Sequence, residues 1–578
     1  MTPTTAVEHR TRPPASGRRG EVLAGAQSRR AMFALAVVES RRLLRHPAVL
    51  AAAALGAVLL WSSGQHIVPV LSRSDIATQI PLAPLAAAAL LATNLAALRA
   101  HRDGADDLYG ATRLSLAWRT LAHLLSMVAL VALGGALVAA DLAWLAWVPG
   151  RVGAPSPAEL ATGPALIGLC GCLGVLLSCV RRSVTVAPLA LAGLAVGSFA
   201  LNLPGFNERP VAWLGALRVV HGDPWPAALL GRPASWHLAY LLGGAAAVAA
   251  LAVALAVWGG QARAGRHVRA VVATVVAAVL AAATAVTATA AVAQTRRPSP
   301  AVAARRVAAA GRPAVQQVCE RRGPAVYAVY CVFPSFQPQI SLWEPTVRAV
   351  LGSVPPAVTA AAPPVVVAQR IDQGGMTLQQ LALAMAQRKG LRGQAVAPVG
   401  TAWGRSGRAL GASQLRLAGA VAARIVGLPA PKPPAQPPAH LGEIRISDPA
   451  LNARAVVALW LAAQAGPQAA AELRHRTSQM GIVGDVGEAF NLTDQPDWDD
   501  PAWGGREGQY ALALLDRPAG QVRETLHRNW GLLTSPTTTL ARLAEVFGLQ
   551  PPPQRGPNPI DDHKLQDRRD QNGPKVTR

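Results

Sequence analysis

Lysine is nearly missing from this 578-residue chain, standing only at 389, 432, 564 and 575, and only 4% of residues are aromatic. Charged residues make up 15%, and Lys plus Arg outnumber Asp plus Glu by 55 to 31. The excess of arginine forms no dense basic stripe. In the first half it collects between apolar runs, and in the second half it is mixed with acids, which excludes a nucleic-acid groove. Five cysteines are too few for a disulfide scaffold. Several catalytic signatures are also missing. There is no Gly-x-x-x-x-Gly-Lys-Ser/Thr to cradle phosphates; the nearest run, Gly400 to Gly407, lacks both the spacing and the lysine. There is no His-Glu-x-x-His to hold zinc and no Gly-x-Ser-x-Gly elbow. His440, His475, His527 and His563 are scattered. These gaps predict a chain that is not itself an enzyme and holds no cofactor or metal. The polar, Arg-rich start also lacks the pattern of a cleavable signal peptide.

Long apolar runs are what the chain has. Seven stretches rich in Ala, Leu and Val lie at 48–65, 81–98, 121–146, 160–180, 184–203, 236–258 and 271–293. Each approaches the roughly 20 apolar residues that let a helix cross the hydrocarbon core. Lipid offers the backbone no hydrogen-bond partners, so such stretches must be helical. The run at 271–293, rich in Ala, Val and Thr, is either a span or a surface helix, and its lack of charge favours a span. Tryptophans 61, 118, 144, 147, 236 and 258 stand near the ends of the runs, where an amphipathic ring prefers the headgroup layer.

Arginine placement then orients the chain. With the N-terminus in the cytoplasm, the inward segments hold Arg10, Arg12, Arg18, Arg19, Arg29, Arg30, Arg41, Arg42, Arg45, Arg99, Arg102, Arg113, Arg119, Arg181, Arg182, Arg263, Arg266 and Arg269. The outward loops hold only Arg73, Arg151, Arg209, Arg218 and Arg232. Cytoplasmic loops gather such charge, so the N-terminus is expected inside and everything after 293 outside.

The expected organisation follows. Residues 1–27 read as a disordered cytoplasmic segment, and 28–47 as an amphipathic interfacial helix with Ala31, Leu35, Val38 and Leu43 on its apolar side. Residues 48–260 form a six-span helical domain, with Pro188 and the glycines 134, 135, 168, 171 and 174 permitting kinks and close helix approach. A seventh span at 271–293 leads to a mixed α/β soluble part at 294–550, as one domain or two small ones, and then a disordered tail at 551–578. Within the soluble part, 343–352 and 453–465 read as helices and 363–369 as a strand.

Cys170, Cys172 and Cys179 fall in the fourth apolar run and behave there as small apolar residues. Cys319 and Cys331 lie beyond the last run, where an oxidising outside would let them pair. Two free thiols in a small core are the alternative. The block from Cys319 to Trp343 is dense in aromatics and reads as a stapled hairpin and core, with a ligand groove as the sharper alternative. Asp494, Asp497, Asp499 and Asp500 lack the spacing of a calcium loop and read as a solvated turn. Asn94 and Asp141 are polar positions within apolar runs.

One loop stands out. His101-Arg102-Asp103-Gly104-Ala105-Asp106-Asp107-Leu108-Tyr109-Gly110-Ala111-Thr112-Arg113-Leu114-Ser115 joins the second and third runs on the inner side. It resembles the loop of exporter-like ATP-binding-cassette permeases with six-helix membrane subunits, which reads Arg-x-x-Gly-x-x-Glu-x-Leu-x-x-Thr-Pro-x-Ser and contacts the ATPase. The matching positions are Arg102, Gly104, Asp107, Tyr109, Thr112 and Ser115, with Asp106 beside them. Arg113 stands where the family often has Pro, and aspartates replace Glu. The stretch Glu39-Ser40-Arg41-Arg42-Leu43-Leu44-Arg45-His46-Pro47 is similar to the interfacial helix that opens the same permeases, giving Glu39, Arg41, Arg42 and Arg45 as its candidate residues. The resemblance covers roughly residues 28–260. It implies a separate ATPase subunit, a second permease copy or paralogue, and a bilayer as partners. The reading from another class is a membrane-anchored sensor whose outer domain binds a ligand.

Overall fold

A computed structural model describes residues 17–105, 114–203, 209–219, 224–259, 267–296, 300–322, 328–371, 378–389, 396–429, 452–479, 489–490, 492 and 503–550. The first half is helical: α1 (Gly17–Leu44), α2 (Pro47–Ser63), α3 (Leu71–Ala77), α4 (Gln79–Arg102), α5 (Leu116–Leu145), α6 (Pro157–Val180), α7 (Val186–Asn202), α8 (Ala234–Gly259), α9 (His267–Arg296) and α10 (Pro300–Gly311). Five helical stretches among the described residues are long and apolar enough to cross a membrane, and six if the bent pair α1–α2 counts as one. These apolar helices mark a membrane-embedded protein.

Two details depart from expectation. The fifth expected span is α7, only 17 residues long and with Ala187 as its one buried residue. Pro188 falls in its first turn, where its missing N–H removes no helical bond. Helix α1 also begins at Gly17, inside the stretch expected to be disordered.

Small residues set the packing of the bundle, because lipid supplies no hydrophobic drive between helices. α4 and α6 form one of the most extensive pairs. Asn94 Nδ2 donates to the Gly174 carbonyl at 3.1 Å, and Thr93 Oγ1 donates to that of Gly171 at 3.0 Å. A Cβ on Gly174 would lie 2.3 Å from the Leu90 carbonyl oxygen, so only glycine fits. Gly134 and Gly171 likewise sit against neighbouring side chains, whereas Gly135 faces open space and Gly168 makes only an ordinary contact.

The second half is built on a four-stranded sheet in the order β1 (Val318–Arg322), β2 (Ala328–Val332), β3 (Val365–Gln369), β4 (Val396–Val399). β1 and β2 form an antiparallel hairpin, and β2, β3 and β4 run parallel. Cys319 faces Cys331 across the hairpin and the two are bonded, as their position beyond the last apolar run suggested. Tyr330, Phe333, Phe336 and Trp343 are all buried, so the aromatic block forms core.

Helices α11 (Ile340–Leu351), α12 (Leu378–Lys389), α13 (Gly407–Ile425), α14 (Ala453–Ala463), α15 (Pro467–Gln479) and α16 (Gly505–Leu515) follow. Every residue of α14 except Arg454 is buried, as its apolar run predicts. One continuous set of buried residues runs from Ala328 to Phe547 and also includes Val68, from the link between α2 and α3.

Candidate coupling site

Helix α1 packs along α5 and meets α2 at a 58° bend. Pro47 is the first residue of α2, and the Nδ1 of His46 accepts the Ala48 N–H at 3.3 Å, so the chain turns where a helix start is already satisfied. The buried stripe of α1 is Met32, Ala36, Glu39 and Leu43, a helical spacing of four, three and four. Ala31 and Val38, expected on the apolar side, are exposed instead, together with Phe33 and Val37. Glu39 is the one charged residue of this stripe.

Glu39 is 3% exposed and takes two guanidiniums on one oxygen, Arg42 at 2.9 Å and Arg99 at 2.8 Å. A carboxylate loses its hydration on burial, and only such pairing offsets that. Ser40 Oγ donates to the Ser126 carbonyl of α5 at 3.4 Å. The carboxylate therefore ties α1 to the last turn of α4, which carries Arg99 and Arg102. Arg41 and Arg45 are exposed beside it.

α4 ends in a well-formed stop. Gly104 has φ +63, and its N–H donates to the His101 carbonyl while that of Ala105 donates to Ala100. This is the glycine-dependent Schellman ending, which a side chain would strain. Across the loop, Ser115 caps α5, accepting the Trp118 N–H at 3.5 Å. Arg102 is exposed on the final turn of α4. So Arg102, Gly104 and Ser115 frame the loop. Asp106, Asp107, Tyr109 and Thr112 lie outside the described residues.

No family model, curated protein or solved structure matches the chain. The site therefore rests on its own geometry.

Sequence reasoning named Glu39 and Arg42 but missed that Arg99 completes their cluster. Arg99 stood out only as an inner-loop charge, though it lies one helical turn before Arg102. A second buried polar cluster at the other end of the bundle also went unread. Gln79 Nε2 donates to Glu159 at 3.1 Å, and its carbonyl accepts the Arg218 N–H at 3.1 Å. Asp75 accepts the N–H groups of Ile76 and Ser156 and lies 3.6 Å from Arg232. These contacts tie α3, α4 and α6 to the segments 209–219 and 231–233. Asp141 is half-buried near the end of α5. Among the described residues no three of His, Cys, Asp and Glu gather as metal ligands. Asp494, Asp497, Asp499 and Asp500 lie outside the described residues.

Proposed function

We propose that the chain is the membrane subunit of an ATP-binding-cassette transporter, driven by an ATPase on a separate polypeptide. The observation that carries this reading is the Glu39 clamp. It joins a membrane-surface helix to the stem of the loop that resembles the family's coupling loop, so a push on either reaches α2, α4 and α5 together. A soluble partner seated against 102–115 would move these helices between states, given different contacts in each. The arginine bias supports a cytoplasmic N-terminus and a six-span core. On that count α2, α3 with α4, α5, α6, α7 and α8 are the spans, α9 is a seventh, and residues 294–550 are extracytoplasmic. Two copies, or one with a paralogue, would enclose a path, and the lightly packed α7 has a face free to meet the second copy.

Reversing Asp106 and Asp107 to Arg tests the reading. It would set like or unpaired charge into a partly desolvated contact, while touching no buried packing described above. The reversed chain should insert normally yet lose co-purification with an ATPase that the unaltered chain retains. If the unaltered chain recruits no ATPase, or the reversal changes nothing, the anchored-sensor reading takes its place.

A further inference from the structure

The second half of the chain is held to the bundle by more than α9 and α10. The link from α2 to α3 runs alongside residues 403–406 as a short antiparallel pair centred on Ile67 and Gly404. Val68 N–H donates to the Trp403 carbonyl at 2.7 Å, and Arg405 N–H donates to that of His66 at 2.8 Å. Arg405 reaches back with its guanidinium to the Gly64 carbonyl at 3.2 Å and lies 5.1 Å from the ring centroid of Trp144, in the last turn of α5. Ser406 Oγ donates to the Gln65 carbonyl at 3.2 Å. Val68 is 3% exposed and belongs to the same core as Trp343 and Trp403. The carboxyl ends of the parallel strands complete the seat, with Phe333 and Ile371 packed among Val70 and Val152, themselves bridged to each other.

We infer that the sheet domain is a mechanical extension of α2 and α5, and that the 64–70 link is the joint carrying movement between the two ends of these helices. Each helix has its other end at the coupling site: α2 at the Pro47 bend beside the Glu39 clamp, α5 at Ser115. A shift of α1 against α4 thus has a continuous path of packed helix and backbone hydrogen bonds to residues 403–406. Because coupling is reciprocal, a molecule bound on the sheet domain would act back on the Glu39 clamp. The transporter reading supplies the drive for this path, but the path itself is a property of this chain alone.

The test uses the full chain in lipid nanodiscs with no ATPase present. Cys170, Cys172 and Cys179 are changed to Ala, and spin labels are placed at Trp61→Cys on α2 and Arg528→Cys on the domain, both exposed positions. A single narrow label distance is expected. Breaking the joint with Val68→Asp plus Arg405→Ala should broaden it into several distances, while resistance of Cys319 and Cys331 to alkylation reports that the hairpin remains folded. If that variant misfolds, Val68→Ala with Arg405→Gln replaces it. Glu39→Gln at the far end should shift the distance when the joint is intact and leave it unchanged when the joint is broken. An unchanged distance in Glu39→Gln with an intact joint overturns the inference, and so does a distance that stays narrow with the joint broken. Loss of ATPase recruitment alone would overturn only the transporter reading.

Discussion

Single buried charges decide more in this chain than their number suggests. Glu39 sits where helical spacing asks for an apolar residue, while its neighbour Val38 faces outward. The amphipathic pattern was legible, but its facing was not, because the Arg99 that neutralises Glu39 lies in a distant part of the sequence. Glu507 in α16 is a contrasting case: it is 2% exposed, and burial raises its carboxyl above the ordinary range. The folded chain therefore holds a proton that the unfolded chain releases near pH 4.3. The stability tied to that proton is present below the unfolded value and is lost as pH rises through the folded one. Glu507→Gln removes the titration, so the variant should melt higher than wild type at neutral pH and show a flatter dependence as pH rises above the unfolded carboxyl value. Thermal unfolding of the full chain across that range checks this; a lower melting point with an unchanged slope would contradict it.

At the scale of elements, the helices were largely written in the apolar runs, since length and absence of charge leave lipid-exposed backbone no alternative. Also legible were α11, α14, β3 and the Cys319–Cys331 hairpin, because each is a local pattern. The order and direction of the sheet were not, since they depend on contacts between segments tens of residues apart. Nor was the brevity of α7, whose apolar run at 184–203 overhangs the helix by a residue or two at each end. The glycines were read as a group, yet only some lie against a neighbouring helix. Gly174→Leu should drive α4 and α6 apart, at a cost of about 1–3 kcal/mol or more. Gly135→Leu, with nothing within 4 Å of its Cβ position, should be tolerated. Melting of the two variants in detergent should separate them. Equal behaviour would mean that the close α4–α6 approach contributes nothing.

For the whole molecule, the sheet domain and the 64–78, 146–156 and 224–233 connections gather at one end of the bundle. Backbone pairing of Ile67 with Gly404 and Val70 with Val152 holds them there, as do the hydrogen bonds from Arg306 to the Leu229 and Leu230 carbonyls. The loop framed by Arg102 and Ser115 follows the opposite end of α4. Nothing local in the sequence announced this arrangement; the arginine bias alone hinted that the two regions lie on different sides. The proposed function depends on that separation: a loop that met an ATPase would be cytoplasmic, and the domain at the opposite end of the bundle would then be outside. A reporter active only in the cytoplasm, placed once at Gly110 and once after Ser299, measures it directly. Activity at Gly110 and silence after Ser299 is the predicted result; equal activity at both sites would contradict it.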